Sequence, residues 1–387
     1  MSKIKVAHVI TLLELGGAQG NTLFTVTRLD KNQFNVSLIC GTGGILDAEA
    51  KKIPNITLHW VPNLIRSIRP WKDFAALIQL VKIFKQEQYQ IVHTHSSKAG
   101  ILGRIAARIA GVPILIHSIH GFGFNPYQKL IVRWLFIALE GWIAKFTSIL
   151  IAVSQQNIEM GLHLNIGTRS QYCLIRSGVD IQKIRETALQ INIHELKKEL
   201  QISDDELIVL TMGPFKIQKD PLAFVRLASK VSKVVPNVKF LMAGDGELRP
   251  QIERLIQELN LKNTLQLLGW KKDAAKWMAL CDVFVLTSLW EGLPRSGVEA
   301  LICGKPFVAF SVDGIPEIIH NGKNGFCLPP GQLDLMAEKL IELLQNKSLR
   351  NTFNQNAKQT INDSFDIHKM VTQQEELYLQ LTHSSNP

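Results

Sequence analysis

"SLWEGLPRSGVEALICGKPFVAF", residues 288–310, follows the apolar run "VFVLTS" (283–288) and closes in another, "PFVAF" (306–310). Between them stand Gly292, Pro294, a stretch with helical spacing, and Gly304-Lys305-Pro306, which stops a helix. Two apolar strands joined by one helix pair in parallel through a crossover, and a parallel sheet is covered on both faces. The same unit recurs outward along the chain. Strands are expected at 5–10, 35–41, 90–95, 114–121 and 148–154, then at 207–213, 238–246, 264–270, 283–288 and 306–310. Helical patterns such as "WKDFAALIQLVKIFKQ" (71–86) and "DPLAFVRLASKVSKVV" (220–235) separate them. Each series reads as a doubly wound α/β domain, with the change-over near "IRSGVD" (175–180).

Bulk properties fit that reading. A chain of 387 residues, 46% hydrophobic, has material for two cores. Its five cysteines are odd in number and form no Cys-x-x-Cys pair, which argues against a disulfide framework or structural zinc and for a reducing compartment. A net charge of +10 favours acidic partners such as nucleotide phosphates or anionic lipid. The N-terminal apolar run is short, contains His8 and leads into a glycine turn, so it reads as a buried strand and not as a signal peptide. In "KLIVRWLFIALEGWIAKFTSILIAV" (129–153), Arg133, Glu140 and Lys145 interrupt the apolar run, and a helix followed by a strand is expected.

Ligands of open α/β sheets bind beyond the carboxyl ends of strands. Gly16-Gly17, His95-Ser96, His120-Gly121, Gly213 and Gly244-Asp245-Gly246 fall at such ends. In the opening stretch, Pro294 suits a first helical position, which makes Leu293 a poor cap and leaves the amides of Arg295 and Ser296 in want of an acceptor. An anionic ligand could supply it. The alternative starts the helix at Gly297, with Ser296 as cap and Glu299 as its partner. "MGPFKIQKDP" (212–221) offers Lys216 and Lys219 at a strand end, or simply a loop in which Asp220 caps the next helix. The histidines of "HTHSSKAG" (93–100) and "HSIHGFGF" (117–124) are spaced too irregularly for a metal trio and have no carboxylate pair beside them, so no metal site is expected. The aromatic-basic segments 66–74 and 127–136 suit an anionic membrane, but amphipathic helices packed on a sheet are the preferred reading.

In combination these motifs resemble glycosyltransferase family 4, the retaining nucleotide-sugar transferases of the GT-B fold. The resemblance runs from Gly16-Gly17 to "LYLQL" (377–381). It includes "HTHSSKAGILGR" (93–104), "HGF" (120–122), "AVS" (152–154), "AGDGELR" (243–249) and, most specifically, "LTSLWEGLPRSGVEAL" (286–301) with its Glu-x7-Glu pair. It implies two Rossmann-like domains facing across a cleft: an acceptor-side domain over 1–176, a donor-side domain over 177–367, and a terminal helix within 368–387 that crosses back to the first. It implies further that Gly16 and Gly17 line the donor diphosphate, that His120 contacts the transferred sugar, and that Lys219 binds the diphosphate beside Gly213 and Lys216. Glu291 would hold the sugar hydroxyls and Glu299 the ribose hydroxyls, while the backbone of Leu293, Pro294, Arg295 and Ser296 would receive phosphate. His120, Glu291 and Lys219 are the expected catalytic groups. Pro214 stands where many relatives carry arginine, and Lys216 is expected to substitute.

The resemblance thus implies retaining hexosyl transfer from a nucleotide-sugar, a UDP-sugar, to a saccharide or lipid-linked acceptor in cell-surface polysaccharide synthesis. No cofactor, metal or nucleic acid is expected. The place of work is cytoplasmic, at the inner-membrane face, with peripheral association with anionic lipid. A nucleotide-sugar epimerase of the same architecture and a catalytically silent nucleotide-binding scaffold subunit are the alternatives.

Overall fold

The computed structural model describes residues 3–384; residues 1–2 and 385–387, the outer ends of the first and last expected segments, lie outside the described residues. The chain forms two compact units, one of Met1–Gly178 with Ile367–Pro387 and one of Val179–Asp366.

In the first unit, seven strands form one parallel sheet: β1 (Ile4–Ile10), β2 (Phe34–Cys40), β3 (Thr57–Trp60), β4 (Ile91–His95), β5 (Ile114–Ile119), β6 (Ile149–Ala152) and β7 (Tyr172–Leu174), in the order β3-β2-β1-β4-β5-β6-β7. Side chains alternate between its two faces. Val6, Ile10, Ile91 and Ile116 pack on one face against Ile367, Met370, Val371 and Tyr378 of the helix Ile367–Ser384. Ala7, Val9, Val92 and Leu115 pack on the other against Ala76, Leu80, Ala106 and Ala107 of the helices Pro70–Glu87 and Ser97–Ala110. Arg104, on the latter helix, is fully buried and its Nη2 donates to Glu140 Oε2 at 2.6 Å.

The second unit holds β8 (Leu207–Met212), β9 (Val238–Ala243), β10 (Leu265–Gly269), β11 (Val283–Leu286), β12 (Phe307–Phe310) and β13 (Gly325–Leu328), all parallel, in the order β10-β9-β8-β11-β12-β13. That is the strand order of a dinucleotide-binding Rossmann sheet. Phe224, Leu227, Phe240, Met242, Leu340 and Phe353 lie at the centre of its core.

All ten expected strands form; β1 and β2 begin one residue earlier than expected, and the other eight are trimmed by one to three residues. The three that periodicity missed, β3, β7 and β13, are short, and each lies at the edge of a sheet. The aromatic-basic segments belong to helices that pack on the sheet as expected, one through Ala76, Leu80 and Phe84 and the other through Ala144, yet many of their apolar residues stay exposed. The helix Leu130–Ala144 buries only Glu140, Ile143 and Ala144, while Leu130, Ile131, Trp134 and Leu135 are exposed. Trp71, Phe74 and Ile78 of the helix Pro70–Glu87 are exposed as well. Among the described residues no helix is long and apolar enough to cross a membrane.

Candidate functional site

In the second unit the strand order reverses between β8 and β11, so the crevice beyond their carboxyl ends is the topological binding position. The chain after β8 passes through Gly213 and Pro214 to the 3-10 turn Ile217–Lys219. The chain after β11 runs through Thr287 and Ser288 to Glu291. These two loops are tied together. The amide of Leu289 donates to Gln218 O at 2.8 Å, Gln218 Nε2 donates to Trp290 O at 3.0 Å, and the Thr287 hydroxyl reaches the carbonyls of Lys219 and Asp220. The outcome is a direct ion pair between Lys219 Nζ and Glu291 Oε1, with the carboxylate only 6% exposed.

Gly213 makes this approach possible. Its φ is +156°, and a Cβ there would lie 3.3 Å from Cε of Lys219, so the lysine stem passes over a position without a side chain. Lys216 opens the same turn and its carbonyl accepts from the amide of Lys219 at 3.0 Å, so both lysines leave one short segment. The loop reading of this segment holds as well: Asp220 caps the helix Pro221–Ser232 by accepting from the amide of Ala223 at 3.2 Å.

Sequence reasoning missed Asp313. It follows β12, has a left-handed φ of +44°, and its Oδ2 accepts from the amide of Glu291 at 2.5 Å. It therefore fixes the backbone of Glu291 from the third strand end of the crevice. Burial, aided by the nearby charge of Glu291 and opposed by the amide bond, pushes its carboxyl up to about 6. The Asp313-Gly314 pair was the available signal, since that dipeptide marks turns.

Neither expected start of the next helix is the observed one. The helix runs Arg295–Ile302 with Pro294 at the cap position, φ −74° and ψ 104°, and no side chain caps it. Ser296 lies inside the first turn, so its proposed capping role is corrected, and Leu293 is buried just before the start. Proline cannot accept through its side chain, which leaves the amides of Arg295 and Ser296 without a side-chain cap. Arg295 reaches Glu299 at 3.7 Å, and burial raises the Glu299 carboxyl above its ordinary range, against the pull of Arg295. Among the described residues, Ser288 Oγ and Arg295 Nε are buried with no hydrogen-bond partner, so this corner holds polar groups that a ligand can satisfy.

The remaining expected residues lie in the first unit. Gly16 and Gly17 open the helix Gly17–Arg28, again with no side-chain cap; Gly16 is extended, with φ −170°. His120 follows β5, and its Nε2 lies 3.3 Å from Nδ1 of His95. Asn21 and Thr22 of the helix Gly17–Arg28 line the same recess as His95, Ser118 and His120. The spacing of the histidines in 93–100 and 117–124 offered no trio, but the fold brings His8 to two of them. In the parallel register His8 stands opposite His93, and the rings of His8, His93 and His95 bring nitrogens within 4.8 Å of one another. All three are hydrogen-bonded, and no carboxylate or thiolate belongs to the group.

Two family models match the chain: glycosyltransferase family 4 over residues 15–183 and glycosyl transferases group 1 over residues 192–360. The chain is 35% identical over 384 residues, 98% of each chain, to a UDP-Gal:alpha-D-GlcNAc-diphosphoundecaprenol alpha-1,3-galactosyltransferase of Escherichia coli. It is 26% identical to an N,N'-diacetylbacillosaminyl-diphospho-undecaprenol alpha-1,3-N-acetylgalactosaminyltransferase of Campylobacter jejuni, over 76% of this chain and 78% of the other. Among solved structures, HepE of Anabaena in complex with UDP and glucose superposes with a TM-score of 0.82 at 21% identity, over 97% of this chain and 100% of that one. WaaG, a glycosyltransferase involved in lipopolysaccharide biosynthesis, superposes with a TM-score of 0.78 at 15% identity, over 96% and 99%.

Proposed function

The chain belongs to the family 4 glycosyltransferases, and on that premise we propose that it transfers a hexose from a UDP-sugar to a polyprenyl-diphosphate-linked saccharide, with retention at the anomeric carbon. The observation that carries this reading is the Lys219–Glu291 pair, set at the switch point of a Rossmann sheet and followed four residues later by a helix start with no side-chain cap. The UDP complex of the HepE structure and the lipid-diphosphate acceptors named for two relatives support the choice of donor and acceptor.

In this reading the diphosphate takes the Lys219 ammonium and the amides of Arg295 and Ser296, and Lys216 stands in for the arginine that Pro214 replaces. As the bond from the anomeric carbon to the diphosphate breaks, negative charge grows on UDP, and those fixed positive groups stabilise it. Glu291 accepts from hydroxyls of the sugar and Glu299 from those of the ribose. His120 contacts the transferred sugar, and Gly16 and Gly17 bring backbone close to the ligand. The acceptor hydroxyl attacks from the face that UDP leaves. Lysine and amides supply the charge, so no divalent ion is needed. The test is incubation of UDP-hexoses with an undecaprenyl-diphosphate-linked amino sugar in the presence of EDTA, reading product mass and anomeric configuration. One glycosidic product with the donor's configuration is expected. Epimerised donor in the absence of acceptor, or nucleotide binding without turnover, would replace this reading with one of its alternatives.

The acceptor places the work at a membrane surface, on the cytoplasmic face where nucleotide-sugars are made. The exposed Trp71, Leu130, Ile131 and Trp134 lie among Arg69, Lys72, Lys129 and Arg133, and both helices pack on the helix Ser97–Ala110 between them. Apolar wedges ringed by cations suit anionic lipid. Trp71→Glu combined with Trp134→Glu is expected to weaken binding to phosphatidylglycerol vesicles about tenfold or more, while leaving UDP affinity intact. Unchanged sedimentation with vesicles would remove these helices from the contact.

A further inference from the structure

Period-two alternation puts His8 of β1, His93 and His95 of β4, and Ser118 and His120 at the end of β5 on the sheet face covered by the terminal helix. There the helix inserts Tyr378, fully buried, among them. Its hydroxyl lies 2.5 Å from His93 Nδ1 and 3.5 Å from His8 Nε2. The contacts then run on in line: His8 Nδ1 to His95 Nε2 at 3.0 Å, and His95 Nδ1 to His120 Nε2 at 3.3 Å. His93 Nε2 ends the other branch on Ser118 Oγ at 2.8 Å.

Burial holds His8, His93 and His95 as neutral rings, His8 down to about 3. Lys31 near His8 and the neighbouring histidines, His117 and His120 included, act in the same direction. Burial, with Glu375 acting in the same direction, pushes the Tyr378 phenol toward its protonated form. A neutral imidazole has one N–H and one lone pair. A line of them therefore has only two consistent arrangements, each with every proton pointing the same way, and the ends decide between them. Tyr378 has a single proton to give. The phenol is a stronger acid than a neutral imidazole N–H, and its contact to His93 is an ångström shorter than that to His8. It therefore donates to His93 Nδ1 and accepts from His8 Nε2–H. His95 Nε2–H then donates to His8 Nδ1, and His120 Nε2–H donates to His95 Nδ1.

We propose that Tyr378 is a positioning residue that acts through His8 and His95 to fix His120 as its Nε2–H tautomer, so that Nδ1 of His120 accepts a hydrogen bond from a hydroxyl of the transferred sugar. The tautomer assignment stands on this geometry alone; the sugar contact rests on the glycosyl-transfer reading above. It turns a polar contact into a directional one, since a sugar hydroxyl must donate to His120 and an axial or equatorial placement decides whether it can.

The test is a long-range proton–nitrogen spectrum of the full-length protein, labelled with 15N-histidine, without ligand at pH 7.5. In the wild type, His8, His95 and His120 are expected as single Nε2–H tautomers. In Tyr378→Phe, His8 loses its acceptor, and His120 is expected to become a mixture of the two tautomers. In turnover the variant should lose several-fold in kcat, with UDP affinity unchanged. Should Tyr378→Phe fail to fold, the wild-type spectrum still decides. His120 as the Nδ1–H tautomer, a His120 signal indifferent to Tyr378→Phe, or one equivalent of zinc copurifying on His8, His93 and His95 would each overturn the proposal. The spectrum needs no donor or acceptor, so a protein inactive toward every UDP-sugar would sink the transfer reading and leave the tautomer result standing.

Discussion

Lys219→Ala is expected to lower the rate of sugar transfer about a thousandfold, which is the upper range for deleting one preorganised electrostatic group around developing charge. Two effects add. The ammonium that would meet the diphosphate is gone, and Glu291, 6% exposed, loses its ion-pair partner. The second effect would cost stability as well as rate, so the comparison must separate them. Glu291→Gln keeps the shape of the side chain and removes the buried charge. Combined with Lys219→Ala it should restore the melting temperature of the single variant without restoring the rate. Calorimetric titration with UDP, in the absence of metal, should show weaker binding to Lys219→Ala, and steady-state rates with an acceptor should show the larger loss in kcat. A rate within threefold of wild type in a folded Lys219→Ala protein would remove this lysine from the reaction.

Mild acid is expected to unfold the first unit. His8, His93, His95 and His117 are all held below the ordinary histidine value by burial, His8 at about 3. In the unfolded chain they titrate near 6.5. Below that pH the unfolded state binds protons that the folded state refuses, so stability is fully present above 6.5 and is lost as the pH falls. Four such groups give a slope of about 5 kcal/mol per pH unit once well below 6.5. Typical domain stability is about 5–15 kcal/mol, so one to three pH units suffice. Glu299 and Asp313 have raised values and act with the opposite sign, but both lie in the second unit. Hydrogen exchange read by mass spectrometry at pH 7.5 and pH 5.5 should therefore show protection weakened in β1, β4 and β5 and retained in β8 and β11. Equal protection of β1 and β4 at both pH values would mean that the cluster is not kept neutral.

What the sequence made legible follows from physical range. Strands such as 207–212 and 238–243 are apolar but for Thr211 and Lys239, so each declares itself locally, whereas β3, β7 and β13 are short edge strands whose pattern gives no comparable signal. The Glu291 and Glu299 motif was visible because its parts lie within one turn-and-helix segment. Asp313 was not, since its bond to the Glu291 amide crosses from one strand end to the next. The meeting of His8 with His93 depends on the register of β1 against β4, 85 residues apart in sequence, and no spacing rule reports it. Pro294 failed as a first helical residue by one position, within the uncertainty of any helix end.

The helix Ile367–Ser384 has a further bearing, on the relative speed with which the two units fold. Residues 179–366 are continuous, so every contact of the second unit is made within one stretch of chain. The first unit is interrupted: the core beneath Val6 and Ile10 is completed by Ile367, Met370, Val371 and Tyr378, which lie beyond the whole of the second unit in sequence. Closing contacts over so long a separation costs chain entropy before burial repays it, so the first unit is the slower of the two to reach its native packing.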